Sequence, residues 1–91
     1  LKDPEYSLSI NLIDAIDHFI CEGLKKNPTL DHLNELIVQA YQKYSSAIAS
    51  KLNIHSESQF EKFCHKRYHN ERQTVRIAGI IIELKGIYLF G

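Results

Sequence analysis

The sequence predicts an all-α chain built from antiparallel helical hairpins. Three observations lead there. Apolar residues recur at three- and four-residue intervals through Leu12, Ile13, Ile16, Ile20 and Leu24, and again through Leu33, Leu36, Ile37, Ala40, Tyr41 and Tyr44. That spacing marks one face of a helix. A link of about three or four residues around Pro28 parts the two stripes, which is short enough to force an antiparallel return. The apolar closing stretch then places Ile77, Ile81 and Leu84 at turn-to-turn spacing.

Taken in order, residues 1–5 read as a polar lead-in containing Pro4. The first helix is expected to begin near Ser7 or Ser9, since either hydroxyl can cap free backbone N–H groups. Asp14, Asp17 and Glu22 fall mostly off its apolar stripe and read as its wet side. Lys25 and Lys26 suit the negative end of the helix dipole. Asn27-Pro28 stops the helix, because proline disfavours the α conformation in the residue before it. Thr29 then caps the second helix.

Ser45-Ser46 marks a break or a cap, and residues 47–52 form a short helix with Ile48 and Leu52 turned inward. Residues 53–58 read as a loop. Ser58-x-x-Glu61 has the form of a capping box, in which each side chain bonds the other residue's backbone N–H. It opens a helix with Phe60, Phe63 and Cys64 on one face. A break near Asn70 precedes the last helix, residues 70–85, which Gly86 can end. That helix would be apolar around most of its circumference and therefore buried on several sides, with the earlier helices packed around it. Ile80-Ile81-Ile82 is the one run β-branched enough to pass for a strand, but its flanks favour helix.

Size and composition narrow the function classes. A chain of 91 residues suits one small helical domain or a piece of one. Eleven basic and eleven acidic residues balance, so overall charge gives no case for a dedicated nucleic-acid binder. Two cysteines, Cys21 and Cys64, are too few for a disulfide-stapled secreted scaffold and suit a reducing, cytoplasmic setting. The apolar run 77–90 is too short to span a bilayer and carries Glu83 and Lys85, so no membrane association is expected.

Five histidines invite a search for chemistry. His65 and His69 stand four apart on one expected helix, and His55 precedes them. Two imidazoles at that spacing can share a metal if further ligands converge. A solvated, charged face is the competing reading, and no metal or other cofactor is assigned. Cys64 beside His65 is a poor thiol nucleophile, because adjacent helical residues point apart and no oxyanion device accompanies them. Asp14, Asp17 and Glu22 lack the buried partner that acid–base catalysis needs. Lys62, Lys66, Arg67, Arg72 and Arg76 form a local basic band around Tyr68 that could contact RNA or a protein partner. Arg76 lies nearest the expected buried face, where a structural ion pair suits it better.

A helical hairpin followed by Arg76-Ile77-Ala78, Ile81, Glu83-Leu84 and the tail Ile87-Tyr88-Leu89-Phe90 resembles the start of an MIF4G domain, the middle domain of the translation initiation factor 4-gamma family. Ala15-Ile16, Glu22-x-Leu24-Lys25 and the stretch 36–44 add to the likeness, which is greatest toward members acting in nonsense-mediated mRNA decay. The resemblance implies a HEAT-like stack of helix pairs, a partial MIF4G-like α-solenoid. It implies no enzymatic activity and a scaffold joining proteins, and RNA, in mRNA decay or translation. Stacked repeats need neighbours, so Ile87, Leu89 and Phe90 are expected to meet another helix, from a longer chain or from a second copy in a homo-oligomer. The alternatives are a metal-binding helical protein using His55, His65 and His69, or a helical homo-oligomerisation module.

Overall fold

Two long helices and one short one come first in sequence and a β-hairpin closes them. The computed structural model describes residues 4–69 and 73–85. Helix α1 runs Pro4–Lys26, α2 Leu30–Leu52 and α3 Glu57–Tyr68, followed by strands β1 (Thr74–Ile77) and β2 (Ile80–Glu83).

Helix α1 starts at Pro4, ahead of both expected capping serines. Proline tolerates the first helical turn, where its missing N–H would have had no partner. Asn27 to Thr29 link α1 to α2, and the Thr29 hydroxyl accepts from the His32 backbone N–H at 3.1 Å. The expected cap and tight antiparallel return are both present. Gly23 lets the helices approach: a Cβ there would lie 2.5 Å from Cδ2 of Leu36.

The break expected at Ser45-Ser46 is a kink rather than an end. Tyr44 leaves helical geometry (φ −117°, ψ 20°) and α2 then continues, so residues 47–52 are its last turns. Asn53 ends it in the left-handed region (φ 57°), with its N–H bonded to the Ile48 carbonyl. Ile54 follows as a buried residue, its N–H 3.5 Å from the same Ile48 carbonyl. The cap of α3 is Ser56, two residues before the expected Ser58. Ser56 Oγ accepts from the Gln59 N–H at 3.1 Å, and the Gln59 side chain accepts from the His55 N–H at 2.9 Å.

The expected last helix, residues 70–85, is not formed. Thr74 to Glu83 make an antiparallel hairpin in which Val75 pairs with Ile82 and Ile77 with Ile80. Its two-residue turn has Ala78 at φ 52° and Gly79 at φ 77°, the positive φ at both positions that a type I′ turn demands. Val75, Ile77, Ile82 and Leu84 face the helices and Arg76 and Ile81 face out, while Ile80, paired with Ile77 beside the turn, shares the inner face but stays exposed. Arg76 is therefore exposed, not on the buried face.

The end of the β-hairpin is tied to the α1–α2 link. The Lys85 N–H donates to the Pro28 carbonyl at 2.6 Å, and Cys21 Sγ lies 3.9 Å from the Ile77 carbonyl. One core joins all the elements, with Ile16, Ile20, Leu24, Leu33, Ile37, Ile48, Phe60, Tyr68, Val75 and Leu84 at its centre. The chain is thus mostly helical with a small two-stranded sheet, and among the described residues no second helical hairpin stacks on the first. Ile87, Leu89 and Phe90 lie outside the described residues. No described helix is long and apolar enough to cross a membrane.

Candidate functional site

Most of the polar chemistry of the fold gathers on α3. Its inner stripe is Phe60, Cys64 and Tyr68, each four residues from the next, and all three are buried. Phe63 stands at the margin, stacked on Phe60 with ring centroids 6.1 Å apart. Phe63 therefore flanks the inner face expected of it and does not lie on it.

Among the described residues Asp17 is the charged residue in the core. It is 6% exposed, which corrects the expectation that it lies on the wet side of α1. Its carboxylate accepts from Arg67 Nε at 3.1 Å, from Arg67 Nη2 at 2.7 Å and from the Tyr68 hydroxyl. A forked guanidinium and a phenol thus satisfy the carboxylate from one side. The Asp17 hydrogen bond holds the Arg67 guanidinium above its usual pKa. Burial, reinforced by the Asp17 bond, pushes the Tyr68 phenol well above its ordinary value. This is a clamp between α1 and α3. Spacing carried a signal for it: Asp17 stands four residues after Ile13 and three before Ile20, on the apolar stripe itself. Tyr68 stands four after Cys64, in line with Phe60.

The basic band therefore divides. Arg67 is engaged by Asp17 and belongs to the clamp, not to a phosphate-binding surface. Arg72 lies outside the described residues. Lys62 and Lys66 rim a shallow groove of about 440 Å³ with Leu52, Ile54, Gln59 and Phe63, and both lysines are exposed. Ile54 and Phe63 give that groove an apolar floor.

The histidines also divide. His65 and His69 stack, with centroids 4.8 Å apart, planes 13° from parallel and Nδ1 atoms 3.3 Å apart. His65 Nε2 lies 3.0 Å from Asn34 Oδ1 on α2. Partial burial and the neighbouring His69 hold the His65 imidazole below its ordinary pKa. His55 bonds instead to Asn53 Oδ1 at 2.8 Å. Among the described residues no three of His, Cys, Asp and Glu gather as a metal site, so His55, His65 and His69 do not converge.

Both thiols are free and buried. Burial pushes Cys64 up to about 12 and raises Cys21 as well. A thiol attacks only as its thiolate, so neither is poised as a nucleophile. Glu22 is held below its usual value by the exposed Lys25 ammonium 3.1 Å away.

Comparison with known proteins finds no matching family model, no similar curated protein and no similar solved structure. Of the residues that carry the MIF4G likeness, those of 76–84 lie in the β-hairpin and the residue after it, those of 10–52 lie in α1 and α2, and Ile87 to Phe90 lie outside the described residues.

Proposed function

We propose that the chain is a non-catalytic, mostly helical interaction module that docks an acidic, partly apolar protein segment along the outer face of α3. The carrying observation is the apolar floor of Ile54 and Phe63 between the exposed ammonium groups of Lys62 and Lys66. Apolar contact supplies affinity there, and the lysines select for carboxylates and orient the partner. The groups that could perform chemistry have other occupations. Asp17 is tied to Arg67 and Tyr68, and both thiols are buried with raised pKa values. The free thiols also favour a reducing, cytoplasmic location.

RNA is the second reading, favoured by the basic residues of α3. It is the weaker one, because the guanidinium best shaped for phosphate, that of Arg67, is bonded to Asp17. A role in mRNA decay or translation rested on the family likeness, and the part of it that needs a helix through residues 76–84 loses support in the hairpin.

An isotope-labelled sample titrated with an acidic amphipathic peptide, and separately with single-stranded RNA, tests this. Peptide-induced NMR shifts at Leu52, Ile54, Lys62, Phe63 and Lys66, abolished by Lys62→Glu with Lys66→Glu, are expected. Salt-sensitive shifts from RNA alone would favour the second reading. A silent groove with both ligands would remove the docking assignment.

A further inference from the structure

We infer that the exposed end of α3 holds a two-histidine chelating site for a borderline transition-metal ion such as Zn²⁺ or Ni²⁺, formed by Nδ1 of His65 and Nδ1 of His69. The site is independent of the docking groove. Helical spacing brings the two rings onto one face, four residues apart. The rest of the case is geometry.

The Nδ1 atoms stand 3.3 Å apart. Two nitrogen ligands at a metal–nitrogen distance of about 2.05 Å, separated by a tetrahedral angle, are themselves about 3.3 Å apart. The two donor atoms are therefore close enough for one ion to reach both once the ring orientation changes. Asn34 Oδ1 lies 3.0 Å from His65 Nε2, a contact that favours the tautomer with its proton on Nε2 and the lone pair on Nδ1. That bond comes from a different helix, and it is the kind of outer contact that fixes the orientation of a metal-ligating imidazole.

One adjustment is required. The rings lie 13° from parallel, so their in-plane lone pairs run side by side instead of meeting. His65 is pinned by Asn34 and partly buried, whereas His69 is exposed at the end of α3. His69 is thus the ring that turns about χ2, a torsion with broad wells. In the metal-bound form His69 carries its proton on Nε2, a tautomer reached by exchange with solvent. The ion then takes both Nδ1 lone pairs and completes its coordination with water. No bond of the protein's heavy atoms breaks, and no electron is transferred. Imidazole donors suit Zn²⁺ and Ni²⁺ and disfavour Mg²⁺ and Ca²⁺, which prefer oxygen ligands.

The test is a thermal melt in EDTA, then in Zn²⁺, Ni²⁺ and Mg²⁺, with the imidazole resonances followed by NMR. Zn²⁺ and Ni²⁺ are expected to raise Tm in a saturable way and Mg²⁺ to leave it unchanged, because an ion held only by the folded chain stabilises it. His69→Ala, a change at an exposed position, is expected to fold normally and lose the shift. Asn34→Ala is expected to weaken the shift without removing it, and His55→Ala to retain it in full. The Nδ1 resonances of both rings are expected to move with Zn²⁺. Unchanged melts, a shift surviving in His69→Ala, or coordination through the Nε2 atoms would each overturn the assignment.

Discussion

Replacing Asp17 by asparagine should cost this fold a large share of its stability. The carboxylate is 6% exposed and accepts from two Arg67 nitrogens and from Tyr68. Asparagine keeps the shape but removes the charge and turns one acceptor into a donor facing donors. Breaking a fully buried ion pair costs roughly 3–5 kcal/mol. That figure must be reduced here, because the Arg67 side chain is 39% exposed and its guanidinium can turn to water. Tyr68, at 2% exposure, has no such escape. A buried hydroxyl stripped of its partner costs about 1–3 kcal/mol. Together these give a loss of about 2–4 kcal/mol for Asp17→Asn, against a total of roughly 5–15 kcal/mol for a typical domain.

Urea unfolding followed by circular dichroism measures this directly. Tyr68→Phe should lose less, about 1–2 kcal/mol, because Asp17 keeps both Arg67 bonds. The double variant should lose less than the sum of the single ones, since the two residues share a bond. The triple variant Asp17→Leu, Arg67→Met, Tyr68→Phe should recover most of the loss, because well-packed apolar groups often match a buried ion pair in stability. An Asp17→Asn variant within about 0.5 kcal/mol of the parent would refute the clamp, since that is the range of ordinary surface changes.

Two other outcomes follow from the same core. Ala78→Asn should stabilise the hairpin by roughly 0.5–1 kcal/mol in the same unfolding assay, because alanine at φ 52° carries a left-handed penalty that asparagine tolerates better. Cys64, 0% exposed and with its thiol pKa raised by burial, should alkylate far more slowly than an exposed thiol at mildly basic pH. Its labelling should accelerate in Asp17→Asn in proportion to the lost stability, as expected when modification requires opening of the fold.

The first two helices were legible because their signals are local. Thr29, Pro28 and the recurring apolar residues each act within a few positions of themselves. The hairpin was not, because the same residues satisfy two periods. Ile77, Ile81 and Leu84 fit a helix, while Val75 with Ile77 and Ile82 with Leu84 fit strands of period two. A helix would have carried Gly79 in its interior at a cost of about 1 kcal/mol. The turn instead uses that glycine at φ 77°, where its lack of a side chain is an advantage. The clamp was hidden for a different reason. An aspartate on an apolar stripe is interpretable only once the arginine fifty positions away is known to meet it. Lys62 and Lys66, by contrast, were legible as exposed because nothing apolar in the stripe of α3 claims them.

The hairpin also changes what this domain needs from its surroundings. A helical hairpin alone leaves apolar surface that a further helix must cover, and that necessity underlay the expectation of stacked repeats. Here Val75, Ile77, Ile82 and Leu84 supply the cover, and the Lys85 bond to Pro28 locks it onto the α1–α2 turn. Among the described residues the large apolar side chains left exposed are Ile10, Ile80 and Ile81. Two of these lie on the hairpin and one on α1, so the described surface carries them as scattered side chains. The docking proposed above would use a surface where apolar and charged groups adjoin. Among the grooves of the described residues, the one beside α3 combines a mostly apolar floor with an ammonium group on its rim at both Lys62 and Lys66.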